Sequence, residues 1–150
     1  MAYSYKQLKN RDVSLLKELL TVFAEAFNEY DTYQGKVPRD EYLESLLGKE
    51  DFILLVARSQ DKLVGGLTAY VLDKFEQERK EIYIYDLAVL EEHRRRGIAT
   101  ELIQRLKQIA KERGAYVIFV QADKGDTAAI KLYESLGTPE EVYNYDITVK

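Results

Sequence analysis

The chain has 150 residues, 46% hydrophobic and 32% charged, with a net charge of −4, which suits one soluble domain spanning residues 1–150 and speaks against a nucleic-acid binder. It holds no cysteine and a single histidine, His93, which excludes a disulfide scaffold, a thiolate zinc site, a cysteine nucleophile and a His-rich metal centre, so no metal is expected. No apolar run approaches the ~20 residues of a membrane span, and Met1–Lys6 lacks a signal-peptide apolar core, so a cytoplasmic protein with no membrane partner is expected.

Tyr3–Leu8 alternates and predicts a short strand. Asp12 then stands as an N-cap before Val13, Leu15, Leu16, Leu19, Leu20, Val22, Phe23 and Phe27, which recur at helical spacing. Residues 28–38 are polar and Tyr-rich and read as a loop, followed by a short helix from Asp40 to Leu47 that Gly48 ends. Phe52–Ala57 is continuously apolar, as a strand buried on both faces would be. A turn at Asp61-Lys62 leads into a strand over Leu63–Leu72, with Gly65-Gly66 as a bulge or close-packing point. After the charged turn Asp73–Lys80 comes a third strand, Glu81–Val89. The period then changes: Ile98, Leu102, Ile103, Leu106, Ile109 and Ala110 trace one face of a helix stopped by Gly114. Ala115–Val120 reads as another buried strand. Asp126 caps a helix carrying Ala129, Ile130, Leu132, Tyr133 and Leu136, stopped by Gly137, and Val142–Val149 reads as a final strand. This order predicts an α+β fold, a mixed sheet with one parallel crossover.

The densest chemistry lies where the third strand meets the long helix, from Asp86 to Thr100. A helix N-terminus leaves about four backbone N–H groups unpaired and carries roughly half a positive charge. Gly97 removes the side chain that would keep an anion away, Ala99 keeps the first turn slim, and Arg94, Arg95 and Arg96 add positive charge. This is how a chain binds a diphosphate; three arginines on a solvated turn are the plainer reading. Asp86 interrupts the apolar end of its strand. A buried unpaired carboxylate is expensive, so it should face a cleft or a partner. There it could bind a substrate ammonium and accept its proton, or simply hydrogen-bond a turn. Val89 and Leu90 offer backbone N–H groups if strand and loop diverge.

Arg94-x-x-Gly97-x-Ala99 resembles the pyrophosphate loop of the GNAT acetyltransferase superfamily, Gln/Arg-x-x-Gly-x-Gly/Ala. A second superfamily element, Asn-x-x-Ala-x-x-Leu-Tyr with a later Gly, is matched by Asp126, Ala129, Leu132, Tyr133 and Gly137, departing at Asp126 and at Thr138. The resemblance implies a GNAT fold with splayed parallel central strands, Glu81–Val89 and Ala115–Gln121, and acetyl-CoA as co-substrate. It implies a cofactor set of Leu87, Ala88, Val89, Arg94, Arg95, Arg96, Gly97, Ile98, Ala99, Thr100, Asp126 and Ala129. Tyr133, on residue pattern alone a core tyrosine, would lie near the CoA sulfur, and catalysis would fall to Asp86 and Tyr133.

Tyr70–Gln77, Glu81–Val89, Gly114–Ile118, Val120–Asp123 and Asp146-Ile147 are similar to aminoglycoside 3-N-acetyltransferases of the GNAT type. That likeness implies acetylation of the 3-amino group of a polycationic aminoglycoside, antibiotic resistance, and a homodimer with Val142–Val149 as a seam. It also implies a substrate set of Glu76, Asp86, Asp123 and Asp146. Two other readings stand beside it: a GNAT enzyme for a polyamine or a protein N-terminus, and a non-catalytic acetyl-CoA-binding module.

Overall fold

Strand β2 (Phe52–Ser59) divides its side chains between two cores. Ile53, Leu55 and Ala57 pack with Ile98, Leu102 and Leu106, whereas Phe52, Leu54 and Val56 pack with Leu16, Leu19, Phe23, Leu43 and Leu47. A strand buried on both faces needs apolar residues at consecutive positions, which is why the run Phe52–Ala57 has no polar alternation. The computed structural model describes residues 2–150. The other strands are β1 (Ser4–Gln7), β3 (Lys62–Asp73), β4 (Lys80–Val89) and β5 (Ala115–Val120); the helices are α1 (Val13–Phe27), α2 (Tyr30–Gln34), α3 (Asp40–Leu47), α4 (Ile98–Arg113) and α5 (Thr127–Glu134).

The sheet has the order β1-β2-β3-β4-β5, antiparallel from β1 to β4 and parallel between β4 and β5. Helices α1 and α3 cover one face, and α4 and α5 pack on the other. The expected mixed α+β sheet with one parallel crossover is therefore what forms. Close packing explains the Gly65-Gly66 pair: a Cβ on Gly66 would lie 2.7 Å from Leu19 Cδ1, and one on Gly65 would lie 2.8 Å from the Ala88 carbonyl oxygen. No helix is long and apolar enough to cross a membrane among the described residues.

Several local expectations fail, each for a physical reason. Val142–Val149 forms no strand and lies exposed. Without it, β5 is the edge of the sheet, so Ala115–Val120 is not the buried strand its composition suggests. The presumed loop 28–38 contains α2, entered through Asn28 at φ 54°. Asp12 does not cap α1 with its side chain; its carboxylate turns back to the Lys9 N–H at 2.8 Å and the Lys6 ammonium at 3.0 Å. Gly48 ends α3 in an ordinary right-handed conformation, whereas Gly114 ends α4 at φ 77°. The β2–β3 turn sits at Gln60-Asp61, one residue earlier than expected. Asp126 does cap α5, accepting from the Ala129 N–H at 3.1 Å.

Candidate active site

A bulge in β4 positions Asp86. Thr68 pairs with Asp86 and the next residue, Ala69, pairs with Ile84, so Tyr85 has no partner across the ladder. Strand side chains alternate faces, and an extra residue reverses the phase. Before the bulge, Ile82 and Ile84 enter the core beneath α4; after it, Leu87 and Val89 do so. Asp86 is thereby moved off that core and onto the α1–α3 side, with Ala88. A regular strand would have carried the carboxylate, in phase with Ile84, into the apolar core.

On that side Asp86 accepts a hydrogen bond from the Tyr33 hydroxyl at 2.9 Å and one from Thr68 Oγ1 at 3.4 Å. It lies at a cavity of about 170 Å³ whose wall is otherwise apolar or aromatic, including Leu19, Phe23, Leu43, Leu54, Tyr42 and Tyr70. Burial pushes its pKa above the ordinary carboxylate value; the Tyr33 and Thr68 hydrogen bonds pull it down, and the charge of Glu29 pushes it up again. Burial also raises Tyr33, with the bond to Asp86 adding to it. The pair joins a carboxylate acceptor to a phenol that keeps its proton at neutral pH. Tyr33 is itself braced by Phe27 and Phe23, each with its ring 5.7 Å away. From this pocket aromatic rings continue along the sheet, from Phe52 to Tyr70, Tyr85, Tyr83 and Phe119, at centroid spacings of 4.7–6.0 Å.

The sheet opens beside this carboxylate. β5 pairs with β4 only from Lys80 to Ile84, and β4 runs on to Val89 with no strand on that side. This is the splay expected between these two strands, although β5 is an edge strand rather than a central one. After Val89 the chain makes a single 3-10 turn at Glu91–His93 and enters α4 through Arg95 at φ 64° and Gly97 at φ 80°. The first bond of α4 runs from the Glu101 N–H to the Gly97 carbonyl, at 2.9 Å, so the N–H groups of Ile98, Ala99 and Thr100 have no helical acceptor. A Cβ on Gly97 would meet nothing within 4 Å. The space over this turn is open, and Arg95 and Arg96 are exposed around it. Backbone donors, a helix dipole and two exposed cations fit a diphosphate.

Arg94 has a different task. Its guanidinium Nε donates to the Val89 carbonyl at 2.9 Å and an Nη reaches the Ala26 carbonyl at 3.4 Å, so it ties the loop to the ends of β4 and α1. His93 is engaged by the Tyr3 hydroxyl at Nδ1, 2.9 Å away, a contact that ties the 3-10 turn to the N-terminal segment. Tyr133 packs from α5 against the core on the α4 side, together with Leu87 and Ala99. Burial raises its phenol to about 12. Asp86 and Tyr133 therefore serve opposite faces of β4, with the opening between β4 and β5 lying beside them.

The remaining sequence-expected carboxylates do not line the Asp86 cavity. Glu76 lies in the β3–β4 loop, 3.2 Å from Arg79 and 3.9 Å from Lys74. Asp123 is exposed after β5, and Asp146 lies in the C-terminal segment with Asn144 at 3.3 Å. Tyr33, Thr68 and Glu29 join the site without having been singled out. For Thr68 a signal existed in the slipped apolar phase from Ile82/Ile84 to Leu87/Val89, which marks a bulge; for Tyr33, on a five-residue helix, there was none.

The GNAT acetyltransferase family model matches residues 15–138. The chain belongs to the GNAT acetyltransferase family. Its GNAT fold is also that of an aminoglycoside acetyltransferase, HMB0005, from an uncultured soil metagenomic sample, 53% identical with all of both chains covered and a TM-score of 0.98. A second soil metagenomic aminoglycoside acetyltransferase, meta-AAC0020, solved in complex with sisomicin, is 34% identical over 99% of this chain and 97% of its own, with a TM-score of 0.92. Human N-acetyltransferase 8 is 27% identical over 125 residues, 83% of this chain and 55% of that protein. The chain thus spans about half the length of the curated relatives it matches first. GNAT acetyltransferases use acetyl-CoA, and the open turn at Gly97 has the form that fits its pyrophosphate.

Proposed function

We propose that residues 1–150 act as one aminoglycoside acetyltransferase domain, moving an acetyl group from acetyl-CoA to the 3-amino group of a deoxystreptamine antibiotic and so conferring resistance. The observation that carries the reading is the Asp86 carboxylate, turned by the Tyr85 bulge onto a half-buried surface and held by Tyr33 and Thr68 beside the open side of β4. The sequence likeness to HMB0005 across the whole chain supports the substrate class, as does the sisomicin bound to meta-AAC0020.

An amine attacks a thioester only when neutral, and most ammonium groups hold their proton at pH 7. Asp86 binds the substrate ammonium, then accepts its proton, directly or through a water. The neutral nitrogen forms its bond to the acetyl carbonyl carbon as the carbon–sulfur bond breaks; the second proton that the nitrogen then sheds goes to the departing thiolate, directly or through water, and no covalent enzyme intermediate is needed. Val89 and Leu90, where strand and loop diverge, orient the thioester arm, and the first turn of α4 with Arg95 and Arg96 holds the diphosphate. Tyr133 serves as a hydrogen-bond donor to the leaving sulfur rather than a full acid: moving a proton from a phenol near 12 to a thiolate near 8.5 is uphill by about 5 kcal/mol. The exposed rings of Tyr70, Tyr85 and Phe119 suit the flat carbon faces of sugar rings. Glu76, Asp123 and Asp146 would meet the outer ammonium groups, and a homodimer is the expected assembly.

Incubation with gentamicin and acetyl-CoA, followed by mapping of the acetylated nitrogen, tests this directly. Acetylation at the 3-amino group is expected. Turnover of spermidine or a peptide N-terminus with gentamicin untouched would replace the antibiotic by another amine, a reading favoured by the apolar wall beneath Asp86. Acetyl-CoA binding with no turnover of any amine would leave a binding module.

A further inference from the structure

We infer that the apolar cavity beside Asp86 is a subsite for the oxygen-free edge of the deoxystreptamine ring, seating its C2 methylene while the neighbouring 3-amine meets the carboxylate. This subsite presupposes the aminoglycoside acetylation proposed above and adds which edge of the ring the enzyme reads. The cavity has a volume of about 170 Å³. A protein cavity of about 150 Å³ lined by aliphatic and aromatic side chains stays dry and holds a molecule the size of benzene. The edge of a six-membered carbon ring is therefore of the right size.

The polar side chains of the wall are few, and most are already committed. The Tyr33 and Thr68 hydroxyls both donate to Asp86, at 2.9 and 3.4 Å. Tyr42 and Tyr70 are 58% and 39% exposed, so they belong to the open side of the cavity. The deep wall comes from α1, α3 and β2, where Leu19, Phe23, Leu43 and Leu54 are each only 2–3% exposed. Those side chains offer a substrate contact area and no hydrogen bond.

An aminoglycoside carries oxygen or nitrogen on most of its carbons, so such a wall suits little of its surface. The deoxystreptamine ring holds an exception. Its 1- and 3-amino groups flank C2, which bears only hydrogen, whereas C4, C5 and C6 all carry oxygen. With the 3-ammonium at Asp86, the C2 methylene faces the leucines and the oxygen-bearing carbons face the open side. A hydroxyl at C2 would be pressed against that wall with no partner to meet it. An apolar pocket rejects an added hydroxyl by about ten- to a hundredfold, because the group gives up water for nothing. The same wall that favours a slender amine is thereby reconciled with a polar, polycationic substrate.

Two substrates test the subsite on the unaltered chain: gentamicin, and its analogue with a hydroxyl at C2 of the central ring. Acetylation of gentamicin at the 3-amine is expected, with kcat/KM for the analogue lower by about ten- to a hundredfold. Equal kcat/KM for the two would overturn the subsite and leave the aminoglycoside reading standing. No acetylation of gentamicin would remove both. A second arm narrows the cavity. Leu46 lines it from α3 and is only partly buried, so Leu46→Phe should fold, as its melting temperature will report. Its KM for gentamicin should rise severalfold while its KM for acetyl-CoA stays at the wild-type value. A folded variant with wild-type KM for gentamicin would also overturn the subsite; if the variant does not fold, the substrate pair decides alone.

Discussion

The Tyr33 hydroxyl donates to Asp86 Oδ1 at 2.9 Å, joining α2 to the bulge of β4 across 53 residues of sequence. Tyr33 lies on a five-residue helix that packs on α1 through Phe27 and Phe23 and through Gln34, whose side chain donates to Thr21 Oγ1 at 3.0 Å, so the carboxylate is held from outside the sheet. Tyr33 is thus a positioning residue whose hydrogen bond competes with an incoming ammonium for the same carboxylate.

Tyr33→Phe keeps the ring packing and removes only the donor. That bond is one of the two that lower the Asp86 pKa, so its loss should raise that pKa and move the acid limb of kcat/KM to higher pH. Melting temperature should fall modestly, in line with about 1 kcal/mol for one hydrogen bond. A purely structural tyrosine would lower the melting temperature and leave the pH profile where it was.

Asp86 also predicts a signature in stability against pH. Its folded pKa is raised, burial being the largest cause, so the native protein should lose stability as pH rises from the unfolded value through the folded one. Asp86→Asn has no charge to bury and should escape that loss. Melting curves of the two proteins should lie together in acid and separate toward neutral pH, the Asn variant melting higher. A variant that melts lower at every pH would mark Asp86 as a structural acceptor.

Gly97→Asp addresses the cofactor turn. The added side chain meets no protein atom within 4 Å, and the positive φ of 80° adds strain that Asp bears better than most residues, so the fold should persist. A carboxylate over the unpaired N–H groups of Ile98–Thr100 would take the place of the diphosphate, and acetyl-CoA affinity should fall by at least tenfold. Unchanged affinity by calorimetry would remove this turn from the cofactor site. Arg94→Ala, by contrast, should lower thermal stability, since that guanidinium bonds the Val89 and Ala26 carbonyls.

Substrate charge should show in salt. If several carboxylates meet a polycation, raising ionic strength from 0.05 to about 0.5 M should raise the aminoglycoside KM severalfold, because exposed pairs are screened over a Debye length of about 10 Å at 0.1 M. A KM indifferent to salt would favour a substrate with one amine seated against the apolar wall.

Much of the architecture was legible because periodicity reports burial. Phe52–Ala57 announced a strand between two cores, Ile98–Ala110 a one-sided helix, and Gly97 and Gly114 sit at the positive φ values their glycines permit. The C-terminal segment misled because alternation suits a strand without supplying the neighbour that a strand must pair with. Asp86 was found because a carboxylate in an apolar strand is costly. Its partner Tyr33 was hidden because a contact across 53 residues leaves no trace in local pattern. The acidic set was only partly gathered, since composition places charge in segments and cannot place segments beside one another.

The measurement closest to the central claim is kcat for Asp86→Asn across pH. Asn keeps the size of the side chain and the capacity to accept from Tyr33, but it cannot take a proton. If Asp86 receives the proton of the attacking amine, kcat at neutral pH should fall by something on the order of 10²–10⁴, with acetyl-CoA affinity unchanged. The defect should shrink as pH rises and more of the amine is already neutral. An Asn variant that folds, with wild-type kcat at neutral pH, would contradict the account, and a raised KM alone would leave Asp86 an anchor for the ammonium and nothing more.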